Sequence, residues 1–244
     1  LFINPYDCQE FKRVEKYVEE SGAHLIYFNT RYPTLRCANR TLREKSFVFG
    51  FGIFSNPEGN YGMLSDMYAD IEHSSLDYIK AVLTPPPIVQ IDGIYYNSDV
   101  RSQFVNVVNH MRYTTDVPER HDQSIHLFGQ CLWFGVGTED SLTMASHLQR
   151  MVNTCSPDGK RYRVLNHSTW GRQIKNNYRR VLSTPFEKGD YCLLYMADYE
   201  TYWEEMIANK STVFENITSA YDRPHDQGEI FLDHGHFSHR GHFL

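Results

Sequence analysis

The chain has 244 residues, 41% of them hydrophobic, and a formal net charge of −6. That length supports one large domain, or one domain with a substantial extension. The acidic balance argues against nucleic acid as a partner, because phosphate recognition needs a surplus of Lys and Arg over an extended face. No run approaches the about 20 apolar residues of a membrane span, and Leu1-Phe2-Ile3-Asn4-Pro5 lacks the basic flank and apolar core of a signal peptide, so no membrane partner is expected. Cys8, Cys37, Cys131, Cys155 and Cys192 are odd in number and form no Cys-x-x-Cys pair. They are expected to be free thiols in a reducing, cytoplasmic setting. Sequons at Asn39, Asn166, Asn209 and Asn216 are too short a pattern to carry a secretory reading.

In chain order, Asp7 and Glu10 have capping-box spacing, and Phe11, Val14 and Val18 continue an apolar stripe that Gly22 ends. Leu25 to Phe28 reads as a strand. Between Asn29 and Gly62, aromatic segments such as Phe47-Val48-Phe49 and Ile53-Phe54 show no period. Ser75 caps a helix with Leu76, Ile79, Val82 and Leu83 inward, and Pro85-Pro86-Pro87 stops it. Ile88 to Ile91, the turn Asp92-Gly93, and Ile94-Tyr95-Tyr96 give a hairpin signal, because Asp-Gly tolerates positive φ. Phe104 to Val108 is a further strand candidate. Residues 1–118 are thus expected to form an N-terminal extension with helices and a hairpin, with a soft boundary at Asp116-Val117-Pro118.

Residues 119–244 have another rhythm. Ile125 to Phe128 is a short apolar run that stops at Gly129, with Cys131 two residues on. Asp140 and Thr143 start a helix whose Met144, Leu148, Met151 and Val152 share a face. Tyr162 to Leu165 is a second strand. The next helix sets Ile174, Tyr178, Val181 and Leu182 inward, and leaves Lys175, Arg179 and Arg180 as a solvated basic face. Gly189-Asp190 opens a third strand, Tyr191 to Met196, and Tyr202 and Met206 mark another helix. Alternation of strand and helix predicts an α/β fold with a parallel sheet covered on both sides. Cys131 then stands at a carboxyl strand end, where ligands of such sheets bind.

Near the end stands Phe231-Leu232-Asp233-His234-Gly235-His236-Phe237-Ser238-His239-Arg240-Gly241. Its Asp233-x-x-His236 resembles the terminal block of the SGNH, or GDSL-like, hydrolases and acyltransferases. Leu127-Phe128-Gly129-Gln130-Cys131 resembles their first block, with Cys where the family has its nucleophilic Ser, and Asn166 to Gly171 resembles the second. The resemblance covers about residues 122 to 244, in the family's order. It implies a flavodoxin-like parallel sheet, a Cys131–His236–Asp233 triad, and an acyl ester or thioester as substrate, small-molecule or carbohydrate, with no cofactor. The oxyanion would fall to Cys131, Gly171 and, by spacing, the Tyr199 hydroxyl. The third block reads Tyr195-Met196-Ala197-Asp198-Tyr199, without the family's oxyanion Asn.

Chemically, a Cys beside His forms a thiolate, and Asp233 would orient the imidazolium. Loss of one oxyanion donor costs about 10²–10³ in rate. That leaves open a second reading, a non-catalytic module that recognises an acylated or carbohydrate ligand. Free Cys is among the most buried residue types. Trp133 and Trp170 either line a substrate pocket or fill the core. His234, His236, His239 and His242 form a His-rich tail, but no metal is assigned, because Asp-x-x-His already accounts for part of it and no Cys or carboxylate cluster accompanies it.

Overall fold

Helix α1 (Pro5–Glu20) ends where Gly22 takes φ 75°, a left-handed turn that needs no Cβ there, and Ala23 leads into β1 (His24–Phe28). The computed structural model describes residues 5–28, 57–59, 61–156, 158–170, 174–195 and 214–215. The aromatic segments at 47–54 and the expected helix around Tyr202 and Met206 lie outside these.

Two helices follow, α2 (Tyr61–Met67) and α3 (Leu76–Leu83). The Ser75 hydroxyl caps α3 by accepting the Tyr78 N–H at 3.1 Å, and Tyr78, Ile79, Val82 and Leu83 are buried. Strands β2 (Ile88–Ile91) and β3 (Ile94–Asn97) form the hairpin, with Asp92 at φ 50° and Gly93 at φ 77°. Positive φ at both central residues matches the twist of the two strands.

The strand expected from Phe104 shrinks to β4 (Val107–Val108), paired with β5 (Met111–Arg112). The Ser102 hydroxyl takes the N–H groups of Phe104 and Val105 at 3.2 and 2.9 Å, and Asn106 Oδ1 takes the Ser102 N–H. Side chains have claimed backbone donors that a ladder would need.

The remaining elements are β6 (Gln123–Phe128), the single turn α4 (Cys131–Phe134), α5 (Met144–Thr154), β7 (Tyr162–Asn166), α6 (Ile174–Ser183), β8 (Tyr191–Tyr195) and β9 (Phe214–Glu215). One seven-stranded sheet runs β4-β5-β7-β6-β8-β1-β9. The five strands from β7 to β9 are parallel, and β4 and β5 close one edge antiparallel. The fold is therefore α/β with a mostly parallel sheet. Because β7 and β8 flank β6 on opposite sides, chain direction across the sheet reverses at β6 and β8, and open sheets place their ligands outside such a reversal. Strand β1, from the first 118 residues, pairs with β8 from His24↔Tyr191 to Phe28↔Tyr195. The N-terminal part thus supplies a strand to the sheet.

Alternation along the strands builds two cores. Ile125, Leu127 and Val164 meet α5 and Trp133 on one face, while Phe128, Cys192 and Leu194 meet Val14 and Val18 of α1 and Tyr178 and Val181 of α6 on the other. Two helix faces differ from expectation. Met151 is 66% exposed; the buried arc of α5 is made by Ala145, Ser146 and Gln149, and at about 100° per residue Met151 falls on the opposite side of the helix. Arg180, expected on a solvated face, is 2% exposed, whereas Arg179 is exposed. Arg180 lies one turn from buried Asn176 and Asn177, on the side of α6 that the β2–β3 hairpin covers, with Asn176 bonding both the N–H and the C=O of Tyr95 at 2.8 and 2.9 Å. Among the described residues, no helix is long and apolar enough to cross a membrane.

Candidate functional site

Cys131 owes its place to Gly129. A Cβ at that glycine would come within 2.6 Å of Trp133 Cβ and 3.2 Å of Ser168 Oγ. Only a bare backbone lets β6 turn directly into α4 while the loop after β7 closes over it. The turn ends as sharply as it begins, at Gly135 with φ 86°, whose N–H returns to the carbonyls of Cys131 and Leu132. Cys131 is thus the first residue of a tight turn at the carboxyl end of the central strand. It is half-buried and packs against the buried cluster of Val107, Phe134 and Val136, on which Trp170 also packs.

The segment 167–170 is tied to this turn at several points. The Thr169 N–H donates to the Gly129 carbonyl at 3.2 Å, and the His167 N–H to that of Leu127 at 2.9 Å. Asn166, 1% exposed, donates from Nδ2 to the Trp133 carbonyl at 2.7 Å and accepts the Ser168 N–H on Oδ1 at 3.1 Å. From the hairpin, Asn97 Nδ2 donates to the Ser168 carbonyl at 2.9 Å, and its Oδ1 accepts the Trp170 N–H at 3.4 Å. The side chain of Asn166 is fully engaged in the interior, so its sequon is not a surface acceptor in the folded chain.

The loop beyond Cys131 is pinned from the other side. Asp140 begins a 3₁₀ turn rather than the helix itself, which Thr143 caps by accepting the Ser146 N–H. Asp140 pairs with buried Arg112 at 3.1 Å and accepts the N–H and Nδ2 of Asn106 at 3.0 and 2.6 Å. Arg112 also donates to the Thr138 carbonyl at 2.9 Å and lies over the Phe134 ring. Burial raises the Asp140 carboxyl, with Arg112 opposing, and pushes the Arg112 guanidinium down to about 10.

Beneath the α6 face runs a buried polar chain. Asp190 Oδ2 lies 3.4 Å from His126 Nε2, and His126 Nδ1 lies 3.0 Å from His167 Nε2. Asp190 also accepts the backbone N–H groups of Ser124 and Glu187 at 2.7 and 2.9 Å. Burial pushes His126 down to about 4 against the pull of Asp190, and pushes His167 well below the ordinary imidazole range. Two neutral imidazoles share one proton across their contact, since one ring nitrogen must donate and the other accept.

Of the residues expected at the site, Cys131, Trp133 and Trp170 are described. Trp133 is buried on the α5 side with its ring 5.6 Å from that of Tyr195, and Trp170 is half-buried with its ring 5.8 Å from that of Phe134. Gly171, Tyr199, Asp233, His236 and the His-rich tail lie outside the described residues. Sequence reasoning missed Asn97, Arg112 and the Asp190–His126–His167 chain. The one available signal was His126 itself, a titratable residue inside the apolar run Ile125 to Phe128. No protein-family model, curated protein or solved structure matches the chain.

Proposed function

We propose that this chain is an SGNH-like esterase or acyltransferase that acts through Cys131 on an acyl ester or thioester. The observation that carries the reading is the position of Cys131, first in a Gly129-dependent turn at the carboxyl end of β6, beside the point where strand order reverses. A nucleophile set there meets a substrate lying across the carboxyl edge. In this reading Asp233 orients His236, which takes the Cys131 proton as Sγ attacks the acyl carbonyl. The carbon–oxygen or carbon–sulfur bond to the leaving group breaks, His236 returns the proton to that group, and the acyl remains on Sγ. Water or a second acceptor then takes the acyl and frees the thiol. Gly171, Tyr199 and the Cys131 N–H stand in for the oxyanion hole. Among the described residues, Cys131, Cys155 and Cys192 are in no disulfide, which suits a reducing compartment such as the cytoplasm.

A second reading, a non-catalytic module that binds an acylated or carbohydrate ligand at the same edge, is favoured by the third block, Tyr195-Met196-Ala197-Asp198-Tyr199, which holds no Asn. One experiment separates the two. An activated ester or thioester leaves an acyl mass on Cys131 of the enzyme, and a thiol alkylator modifies Cys131 faster than exposed Cys155. His236→Ala slows both, because the thiolate loses its imidazolium partner. If Cys131 reacts as an ordinary thiol and carries no acyl group, the binding module stands and the enzyme does not.

A further inference from the structure

The hydrogen-bonded chain Asp190–His126–His167 has no part in the acyl chemistry proposed for Cys131. Asp190 directly precedes β8 and is level with Ser124, whose N–H it accepts. His126 lies in the middle of β6, and His167 follows β7 level with Phe128, because Leu127 pairs with Asn166. The chain therefore climbs one face of the sheet from its amino edge to its carboxyl edge, in steps of 3.4 Å and 3.0 Å. All three side chains are buried. The upper end is as well held as the lower: the His167 N–H donates to the Leu127 carbonyl at 2.9 Å, and its ring lies flat against that of Phe128, centres 4.5 Å apart and planes at 11°.

The direction of each bond in this chain follows from its lower end. An ionised carboxylate only accepts, and Asp190 already takes the N–H groups of Ser124 and Glu187 at 2.7 and 2.9 Å. The proton of His126 therefore sits on Nε2, facing Asp190. A neutral His126 then offers a lone pair at Nδ1, so the proton of His167 sits on Nε2 and points back along the chain. What remains is a bare lone pair on His167 Nδ1. No described residue donates to it, and unlike the Ser168 and Thr169 hydroxyls it is not closed off, since solvent reaches 9% of the residue. Burial holds both rings neutral. Of the charged groups that face them, Arg180 of α6 and Arg163 of β7 also oppose protonation of His167, and Asp190 favours it at His126.

We propose that His167 is an acid–base residue for the hydroxyl group of a ligand at the carboxyl edge of the sheet, with His126 and Asp190 as positioning residues that keep its Nδ1 ready to accept. His167 is the first residue beyond β7, at the edge where open sheets take their ligands. The proton balance closes within the chain. The ligand O–H proton passes to His167 Nδ1, the Nε2 proton of His167 to His126 Nδ1, and the Nε2 proton of His126 to Asp190 Oδ2. The electron pair of the broken O–H bond stays on the ligand oxygen, which becomes a nucleophile. Both imidazoles end neutral, so no imidazolium is left in the interior. A neutral hydroxyl suits this site better than an ammonium, because a cation entering here would be desolvated with no described carboxylate facing Nδ1. The site does not depend on acylation of Cys131.

The test reads His167 itself in the whole chain. Long-range proton–nitrogen NMR at pH 7 should show His126 and His167 each with a single ring proton, on Nε2. In His126→Leu the His167 proton should divide between its two nitrogens, a change that lost packing alone does not produce. Diethyl pyrocarbonate then probes the lone pair: Nδ1 attacks one carbonyl, a carbon–oxygen bond breaks, ethyl carbonate leaves, and the Nε2 proton passes to His126. Peptide mapping should find His167 carbethoxylated at the same rate at pH 7.5 and pH 5.5, whereas a histidine of ordinary pKa slows about tenfold. His126→Leu should slow the labelling of His167 several-fold. The proposal is overturned if wild-type His167 carries its proton on Nδ1 or on both nitrogens, if the reagent leaves it untouched, or if its rate falls with pH as an ordinary histidine's does. It is also overturned if His126→Leu folds and leaves either the tautomer or the labelling rate unchanged; the first three outcomes are read on wild type and decide the matter if that variant does not fold. Acyl labelling of Cys131 is read separately, so failure of either idea leaves the other to its own test.

Discussion

Replacing Asn166 with Ala removes two bonds that join the halves of the candidate site, one at 2.7 Å to the Trp133 carbonyl and one at 3.1 Å from the Ser168 N–H. Asn166 is 1% exposed, so the orphaned groups stay out of solvent. An unmet buried donor or acceptor costs about 1–3 kcal/mol, which puts the pair at about 2–6 kcal/mol out of a total stability of about 5–15 kcal/mol. Urea unfolding followed by fluorescence should show that loss as a lower midpoint with little change in slope. A second readout bears on function. Trp133 ends its bond to Asn166 only two residues from Cys131, so the alkylation rate of Cys131 should change relative to that of Cys155, which sits on the far end of α5. An Asn166→Ala protein within about 0.5 kcal/mol of wild type, with an unchanged ratio of thiol rates, refutes the view that Asn166 couples the turn to the loop.

Three further outcomes are expected. Asp140→Ala should cost about 3–5 kcal/mol, because it strands the Arg112 charge, while Arg112→Met costs clearly less; urea midpoints for the two variants and the double variant measure the difference, and equal losses would show that the ion pair has no special weight. Below pH 6.5 stability should fall: His126, held down to about 4, stays neutral when folded but takes a proton when unfolded, so the unfolded chain binds more protons as pH drops. The loss, about 3 kcal/mol by pH 4 for a shift of this size, should be smaller in His126→Gln, and a wild-type profile flat from pH 7.5 to 4.5 contradicts the assigned neutral pair. Gly129→Ala forces a Cβ against Trp133 and should lower stability by about 1–3 kcal/mol; circular dichroism melts that match wild type would mean that the turn relaxes freely.

Legibility in the sequence followed the strength of local signals. Asp92-Gly93 specified its hairpin because the positive φ angles it tolerates are the turn's whole requirement, and Ser75 specified a helix start because its hydroxyl meets an otherwise unmet N–H. The three parallel strands were readable from apolar runs at 125–128, 162–165 and 191–196, found as β6, β7 and β8. What escaped depends on partners far along the chain. Nothing near Arg180 says that a hairpin more than 80 residues earlier will bury it, and nothing near Arg112 announces Asp140. Position Cys131 was legible because Gly129 punctuates its strand; the residues that hold Cys131 in place were not, because Asn97 and Asn166 act through backbone groups, which carry no sequence signature.

That same long-range dependence decides whether residues 119–244 can stand alone. Cutting at 118 removes β1, and with it the parallel partner of β8, leaving an apolar edge of unpaired backbone groups beside Cys192 and Leu194. It removes α1, whose Val14 and Val18 cover that side of the core. It also removes Asn97 from the Ser168 carbonyl and Arg112 from Asp140, which leaves Asp140 buried with neither its cation nor the Asn106 donors. Each loss is of the kind that costs a few kcal/mol, and together they exceed the margin of an ordinary domain. We therefore expect the 119–244 fragment to aggregate or to lack cooperative unfolding, and expect adding the 1–118 fragment in trans to restore a thermal transition. A cooperative melt of 119–244 alone, with Cys131 as reactive as in the whole chain, would show instead that the first 118 residues decorate the site rather than build it.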